Sequence, residues 1–294
     1  MAENRKIIFK RKKNYSVKDN ITLKDSVEEW VSYWRSNIHR FNTEYLGLRY
    51  QADFQPLLLY YMDRQPNFML ACSRGLAKTT LTAEYCVDRC ILYPETVIVV
   101  AAPAKSQSMD FIGKIKMLAK ESPNLVKELL NGMDSIKIGQ NGCTVEFANG
   151  SKIITKTFAE TARGARCNIL IIDEFAMIKD KNLLTGTFVP MLTSGRKPRY
   201  GNLTMQERAK IQEPTKQLYL SSIRTEAEWS WEYLCTYFEN IISGNTKYGL
   251  LCLPYHLGVK GGYIQKDNVE QVFKENPSLF ALLKAETYIF CLCL

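Results

Sequence analysis

The chain has only two histidines, His39 and His256. That scarcity argues against a histidine-based nucleophilic triad and against zinc held by the usual Cys and His sets. Long apolar runs are also missing. The most apolar stretches, Val97–Ala104 and Tyr288–Leu294, fall far short of the ~20 residues that a membrane-spanning helix needs, so no membrane partner is expected. No apolar segment follows the basic N-terminus, which therefore does not read as a secretory signal. The nine cysteines are odd in number and scattered. Cys86 and Cys90 share a helix face and Cys291 and Cys293 are two apart, but no second Cys or His pair completes a tetrahedral site. Free thiols in a reducing, intracellular compartment are the expectation. No internal repeat is present, and no alternation of basic and aromatic residues marks a platform for stacking single strands.

What is present is the composition of an ordinary globular protein. The 294 residues, 46% hydrophobic and 23% charged, allow one large domain or two smaller ones. The net charge of +9 is uneven. Arg5, Lys6, Lys10, Arg11, Lys12 and Lys13 stand against a single acid, Glu3, in an arm that is either solvated or in contact with nucleic-acid phosphate or a partner. Residues 25–64 read as helical, with Trp30, Trp34, Ile38 and Phe41 spaced by three and four as core positions. After Pro66 short apolar runs alternate with amphipathic segments. Strands are expected at 68–71, 97–102, 168–173 and 217–221, with helices at about 79–92 and 106–120. Asn149-Gly150 between 142–147 and 152–158 is a hairpin signal. Strands alternating with helices imply an α/β fold whose mostly parallel central sheet is flanked by helices.

The first strand runs into Cys72-Ser73-Arg74-Gly75-Leu76-Ala77-Lys78-Thr79-Thr80. Strand, loop and helix in this order are the setting of a phosphate-binding loop. Backbone N–H groups and the helix N-terminus cradle phosphates there, a lysine reaches the β and γ oxygens, and a Ser or Thr hydroxyl holds Mg²⁺. Lys78 and Thr79 occupy those two positions, and the residues from Ser73 to Thr80 are the candidate nucleotide contacts. A strict pattern has glycine where Cys72 and Ala77 stand; alanine, the smallest substitute, still permits close backbone approach. Taken alone, the segment also fits a Lys-Thr helix start after an ordinary loop.

A second element is Asn168-Ile169-Leu170-Ile171-Ile172-Asp173-Glu174. The apolar strand delivers two carboxylates to the C-terminal edge of the sheet, where open α/β sheets bind ligands. Asp173 can hold Mg²⁺ through water, and Glu174 can orient and deprotonate an attacking water. Strands that end in Asp-Glu also occur in purely structural settings. A phosphate loop about 95 residues upstream favours ATP hydrolysis, because the two elements form both halves of a metal-assisted site. Arg74, Arg163 and Arg166 are candidates to offset charge that builds in the transition state, Arg74 foremost because it lies in the loop.

In order, these motifs resemble the ATPase domain of the large terminase subunit, the motor that packages DNA into tailed-phage procapsids. The loop Ser73–Thr79 is similar to the deviant, Arg-containing phosphate loops of that family. Gln55, in Asp53-Phe54-Gln55-Pro56-Leu57-Leu58, stands where terminases keep an adenine-contacting glutamine. The Arg-Gly segment before Ile169–Glu174 resembles the lead-in to the family's acidic motif. Leu218-Tyr219-Leu220-Ser221-Ser222 resembles its coupling motif. The resemblance spans roughly residues 45–285. It implies a P-loop NTPase using ATP and Mg²⁺, with Gln55 on adenine and with Ser221 and Ser222 relaying hydrolysis to movement. It also implies double-stranded DNA as the translocated polymer, the portal protein and the small terminase subunit as partners, a homo-oligomeric ring, and the host cytoplasm as location.

The domain reading that follows is a basic arm and helical lead-in over 1–45, an ATPase core over 46–230, and a lid or linker over 231–294. Large terminases usually continue into an RNase H-like nuclease. Nothing after Tyr288–Leu294 supplies one here, so ATP hydrolysis without DNA cleavage is expected of this chain. Two rival readings remain: a helicase-like or other nucleic-acid translocase with the same chemistry, and a catalytically weak nucleotide-binding scaffold.

Overall fold

The computed structural model describes residues 17–73, 75–139, 142–159, 162, 164–193, 195–196, 204, 206, 213–222 and 229–275. The basic arm and the apolar stretch at 288–294 lie outside the described residues. The chain divides into two compact units, Met1–Asn37 and Ile38–Leu294. In the first unit, helix α1 (Val17–Ser36) stacks Trp30, Tyr33 and Trp34 edge to face along one side.

The second unit begins with α2 (Ile38–Glu44) and α3 (Gln55–Arg64). The helical stretch expected over 25–64 is thus interrupted at Asn37 and again over 45–54. At the second break, the N–H groups of Tyr45 and Leu46 both return to the Phe41 carbonyl. Gly47 then takes φ +72°, a left-handed helix end that glycine reaches without strain. Ile38 and Phe41 are core residues, as their spacing predicted.

The strands follow as β1 (Asn67–Cys72), β2 (Val97–Ala102), β3 (Leu130–Met133), β4 (Ile136–Gly139), β5 (Gly142–Glu146), β6 (Lys152–Thr157), β7 (Ile169–Asp173), β8 (Lys216–Ser221) and β9 (Tyr248–Leu253). Between β1 and β2 lies α4 (Lys78–Leu92), and after β2 comes α5 (Lys105–Glu121). Eight of these strands form one sheet in the order β4-β5-β6-β2-β7-β8-β1-β9. From β6 to β9 all neighbours are parallel; β4 and β5 extend the sheet antiparallel. The fold is therefore α/β with a mostly parallel sheet, as the alternating pattern predicted.

Burial on both faces explains why the central strands read as unbroken apolar runs. Met69, Ala71, Val99, Ala101, Leu170, Ile172 and Tyr219 share one face with Phe175, Phe188 and Leu234. Alternate residues, among them Phe68, Leu70, Ile98, Val100, Ile169 and Ile171, are equally buried. The Asn149-Gly150 turn joins β5 to β6 as expected, with Gly150 at φ +85°. A Cβ there would meet only the flexible end of the Glu95 side chain, which can move aside, so the turn depends on glycine for its conformation.

Of the region after residue 230, assigned to a lid or linker, helix Trp229–Ile242 and β9 build onto the sheet. Leu234 and Tyr237 enter the core, and β9 pairs with β1 along its whole length. β9 is the edge strand of the sheet: Leu250, Cys252 and Leu253 are buried, and the backbone groups that face β1 are paired, which a loose lid would leave in water. Among the described residues no helix is long and apolar enough to cross a membrane.

Candidate functional site

Strand order places the chemistry. β8 lies between β1, which leads into the Ser73–Thr80 loop, and β7, which ends in the two carboxylates. Ser221, at the end of β8, is in register with Ala71, while Asp173 is in register with Leu220. Three segments far apart in sequence therefore end side by side at one edge of the sheet.

The loop leaves β1 with Ser73, whose N–H donates to the Leu253 carbonyl at 3.2 Å and is thereby committed to β9. Leu76 is buried. Gly75 takes φ +86°, and a Cβ there would lie 3.2 Å from Ile264, so the segment after β9 rests on the loop. Ala77, where a strict pattern has glycine, adopts φ 55° and ψ 29° at the N-cap of α4 with no side-chain capping bond. A non-glycine residue in that left-handed conformation costs ~1–2 kcal/mol. The first-turn N–H groups of α4 lack intrahelical partners, and its positive dipole end favours an anion.

Lys78 opens α4 and is buried. Its Nζ lies 3.2 Å from Glu174 Oε1 and donates to the Cys72 carbonyl at 3.4 Å. Burial disfavours the ammonium, but Cys72, Glu174 and Asp173 outweigh it and hold the lysine above its ordinary pKa. Burial pushes the Asp173 carboxyl up to about 6, with the like charge of Glu174 adding and Lys78 opposing. Glu174 itself sits at φ 53° and ψ 48°, a second left-handed non-glycine residue. Its Oε2 accepts a hydrogen bond from Ser221 Oγ at 3.3 Å. Strained backbone at a cluster of charged groups is characteristic of functional sites.

The structure thus joins Lys78, Glu174 and Ser221 in one chain of contacts, with Asp173 next in line and Thr79 on the first turn of α4. Thr80 is buried behind it. Ser222 lines a small cleft with Ser221, Ser230, Phe175 and Trp231. Gln55 is fully buried at the start of α3. Its Oε1 accepts from the N–H groups of Gln51 and Ala52 at 2.7 and 3.1 Å, while its Nε2 has no hydrogen-bond partner. Its bonds are therefore local to α3 and reach none of the residues around Glu174. Arg166 is exposed. Arg74 and Arg163 lie outside the described residues.

Sequence reasoning missed the aromatic support beneath this site. Phe175 lies edge-on to Tyr219 and Trp229, and Trp229 Nε1 donates to the Ile178 carbonyl at 2.7 Å. The spacing of Trp229, Tyr233 and Tyr237 on one helix face was the available signal.

No protein-family model and no curated protein matches the sequence. Solved structures do. The large terminase of a thermophilic bacteriophage, also solved in complex with ADP, matches with a TM-score of 0.53 at 11% identity over 78% of this chain and 51% of its own. The chain shares its fold with about half of that large terminase. The large terminase of bacteriophage HK97 aligns at 15% identity with a TM-score of 0.47, over 71% of this chain and 40% of that one. An isolated ATPase domain from a Thermus phage large terminase gives 15% identity and a TM-score of 0.41, over 70% of this chain and 95% of its own. The chain spans about half or less of the full-length terminases it matches.

Proposed function

We propose that this chain hydrolyses ATP at the C-terminal edge of its sheet and acts as the motor part of a viral DNA-packaging terminase. The observation that carries the reading is the contact of Lys78, from the loop after β1, with Glu174, from the end of β7, with Ser221 behind both. A buried cation at a helix N-terminus beside two carboxylates has the charge pattern of a site for a nucleotide with its metal.

The residues present suit that ligand. A threonine hydroxyl and a carboxylate are the hard oxygen donors that Mg²⁺ prefers, so Thr79 and Asp173 would hold it. The N–H groups from Gly75 to Thr80, with Lys78, would hold the phosphates. A bound Mg²⁺ supplies charge neutralisation at the β and γ oxygens. Glu174 would orient a water and accept its proton, once Lys78 turns from the carboxylate to phosphate. Ser221 connects that carboxylate to β8 and is the proposed start of coupling. Gln55 is the proposed adenine contact through its unpartnered Nε2.

Double-stranded DNA is the proposed polymer, gripped through its phosphates, with the portal protein and the small terminase subunit as partners of a homo-oligomeric ring. The domain scheme goes with this reading: an arm before the core, and a lid drawn from the segment that rests on Gly75. DNA-stimulated ATPase is to be measured for the parent, Lys78→Ala and Glu174→Gln. Both variants are expected to lose at least a hundredfold in kcat; a parent no faster than Lys78→Ala refutes the proposal.

A further inference from the structure

Glu174 has to be held in an unfavourable backbone conformation, and the structure shows what can hold it. The residue starts a tight hook in which Met177 N–H donates to the Glu174 carbonyl at 2.8 Å and Ile178 N–H to the Phe175 carbonyl at 3.1 Å. Both ends of the hook are gripped by one side chain. The Trp229 indole packs edge-on against the Phe175 ring with centroids 6.2 Å apart, and its N–H donates to the Ile178 carbonyl at 2.7 Å.

Trp229 is itself anchored. Tyr233, one turn on, meets both Trp229 and Tyr219, at 6.1 and 5.3 Å between ring centroids. Tyr219 lies on β8 two residues before Ser221, and its ring also meets Phe175. The helix Trp229–Ile242 thereby supports the backbone of Glu174 and the strand whose Ser221 bonds the Glu174 carboxylate.

We infer that Trp229 is a positioning residue for Glu174, acting through the Phe175–Ile178 hook; the inference rests on the proposed role of Glu174 as the base. A tryptophan that merely fills the core would affect stability alone, whereas this one controls how well the carboxylate is aimed. A small misplacement of a catalytic group is enough to lower turnover by one or two orders of magnitude.

Trp229→Phe keeps a ring and removes the N–H donor. Hydrogen–deuterium exchange over residues 174–178 should then speed at least tenfold, and kcat for ATP should fall about tenfold with KM within twofold of the parent. In a Glu174→Gln background the same substitution should add no further loss, since its effect passes through the carboxylate. Tyr233→Phe, which leaves the indole bond intact, should retain parental kcat. Phe175→Leu, which removes the other grip, should act like Trp229→Phe and serves if that variant fails to fold. Unchanged exchange in both hook variants, or an equal further loss of rate in the Glu174→Gln background, overturns the inference. A parent without ATPase activity would sink the proposed function, and the exchange data would still decide whether Trp229 holds the hook.

Discussion

Ala77 offers a test in which the sign and the size of an effect both follow from the backbone. At φ 55° it occupies the left-handed region, at a cost of ~1–2 kcal/mol for a residue with a Cβ. Ala77→Gly removes that strain. Against the gain stands the greater freedom of glycine in the unfolded chain, ~0.4–1 kcal/mol, and the loss of one half-buried methyl, ~0.4 kcal/mol. The balance is a stabilisation of about 0.5 kcal/mol, which for a chain of this size raises Tm by about 1 °C. Ala77→Val supplies the contrast. A β-branched residue is far less tolerant of positive φ, so this variant should lose ~2 kcal/mol or more. Both are measurable by thermal and urea unfolding of the purified chain, with the parent run alongside. A valine variant as stable as the parent, or a glycine variant several degrees less stable, would show that the loop does not hold Ala77 in this conformation.

Two further predictions concern buried charge. Burial pushes the Glu84 carboxyl up to about 7 from its ordinary 4.5, with a hydrogen bond from Asn42 opposing. The folded chain therefore keeps this proton where the unfolded chain has released it, so stability falls as pH rises from about 4.5 to 7 and is level above, by the order of 3 kcal/mol. Urea unfolding at pH 5.5 and 8 should show that slope, and Glu84→Gln should flatten it; an unchanged slope in the variant contradicts the assignment. The Arg89 guanidinium bonds Asp63 at 2.9 Å and Glu213 at 3.0 Å, and lies 3.5 Å over the Tyr93 ring. Arg89→Met leaves the buried Asp63 without its guanidinium and should cost about 3–5 kcal/mol in chemical denaturation. A loss below about 1 kcal/mol would mean that Lys216 nearby already neutralises it.

The elements legible in the sequence were those with a strong local signature. β1, β2 and β7 carry continuous apolar runs, and β8 the shorter Leu218-Tyr219-Leu220, because they are buried on both faces, and the Asn149-Gly150 turn is chemically explicit. β4 was not foreseen. It is an edge strand with Ile136 buried and Lys137 and Ile138 exposed, too short to show a period. β9 was not foreseen either: its segment was assigned to the lid or linker, its neighbour β1 precedes it by some 180 residues, and pairing over that distance leaves no local mark.

For the site, sequence alone determined the chemistry available. A Lys-Thr pair opening a helix and an Asp-Glu pair closing an apolar strand are local patterns, and their types and spacing limit what they can do. Tertiary structure decided which of those groups meet. Insertion of β8 between β1 and β7 puts Ser221 against Glu174, and the packing of helix Trp229–Ile242 puts an indole under the hook that follows it. The left-handed conformations of Ala77 and Glu174 belong to the same category. Neither residue prefers that region on its own, so only the surrounding packing holds them there.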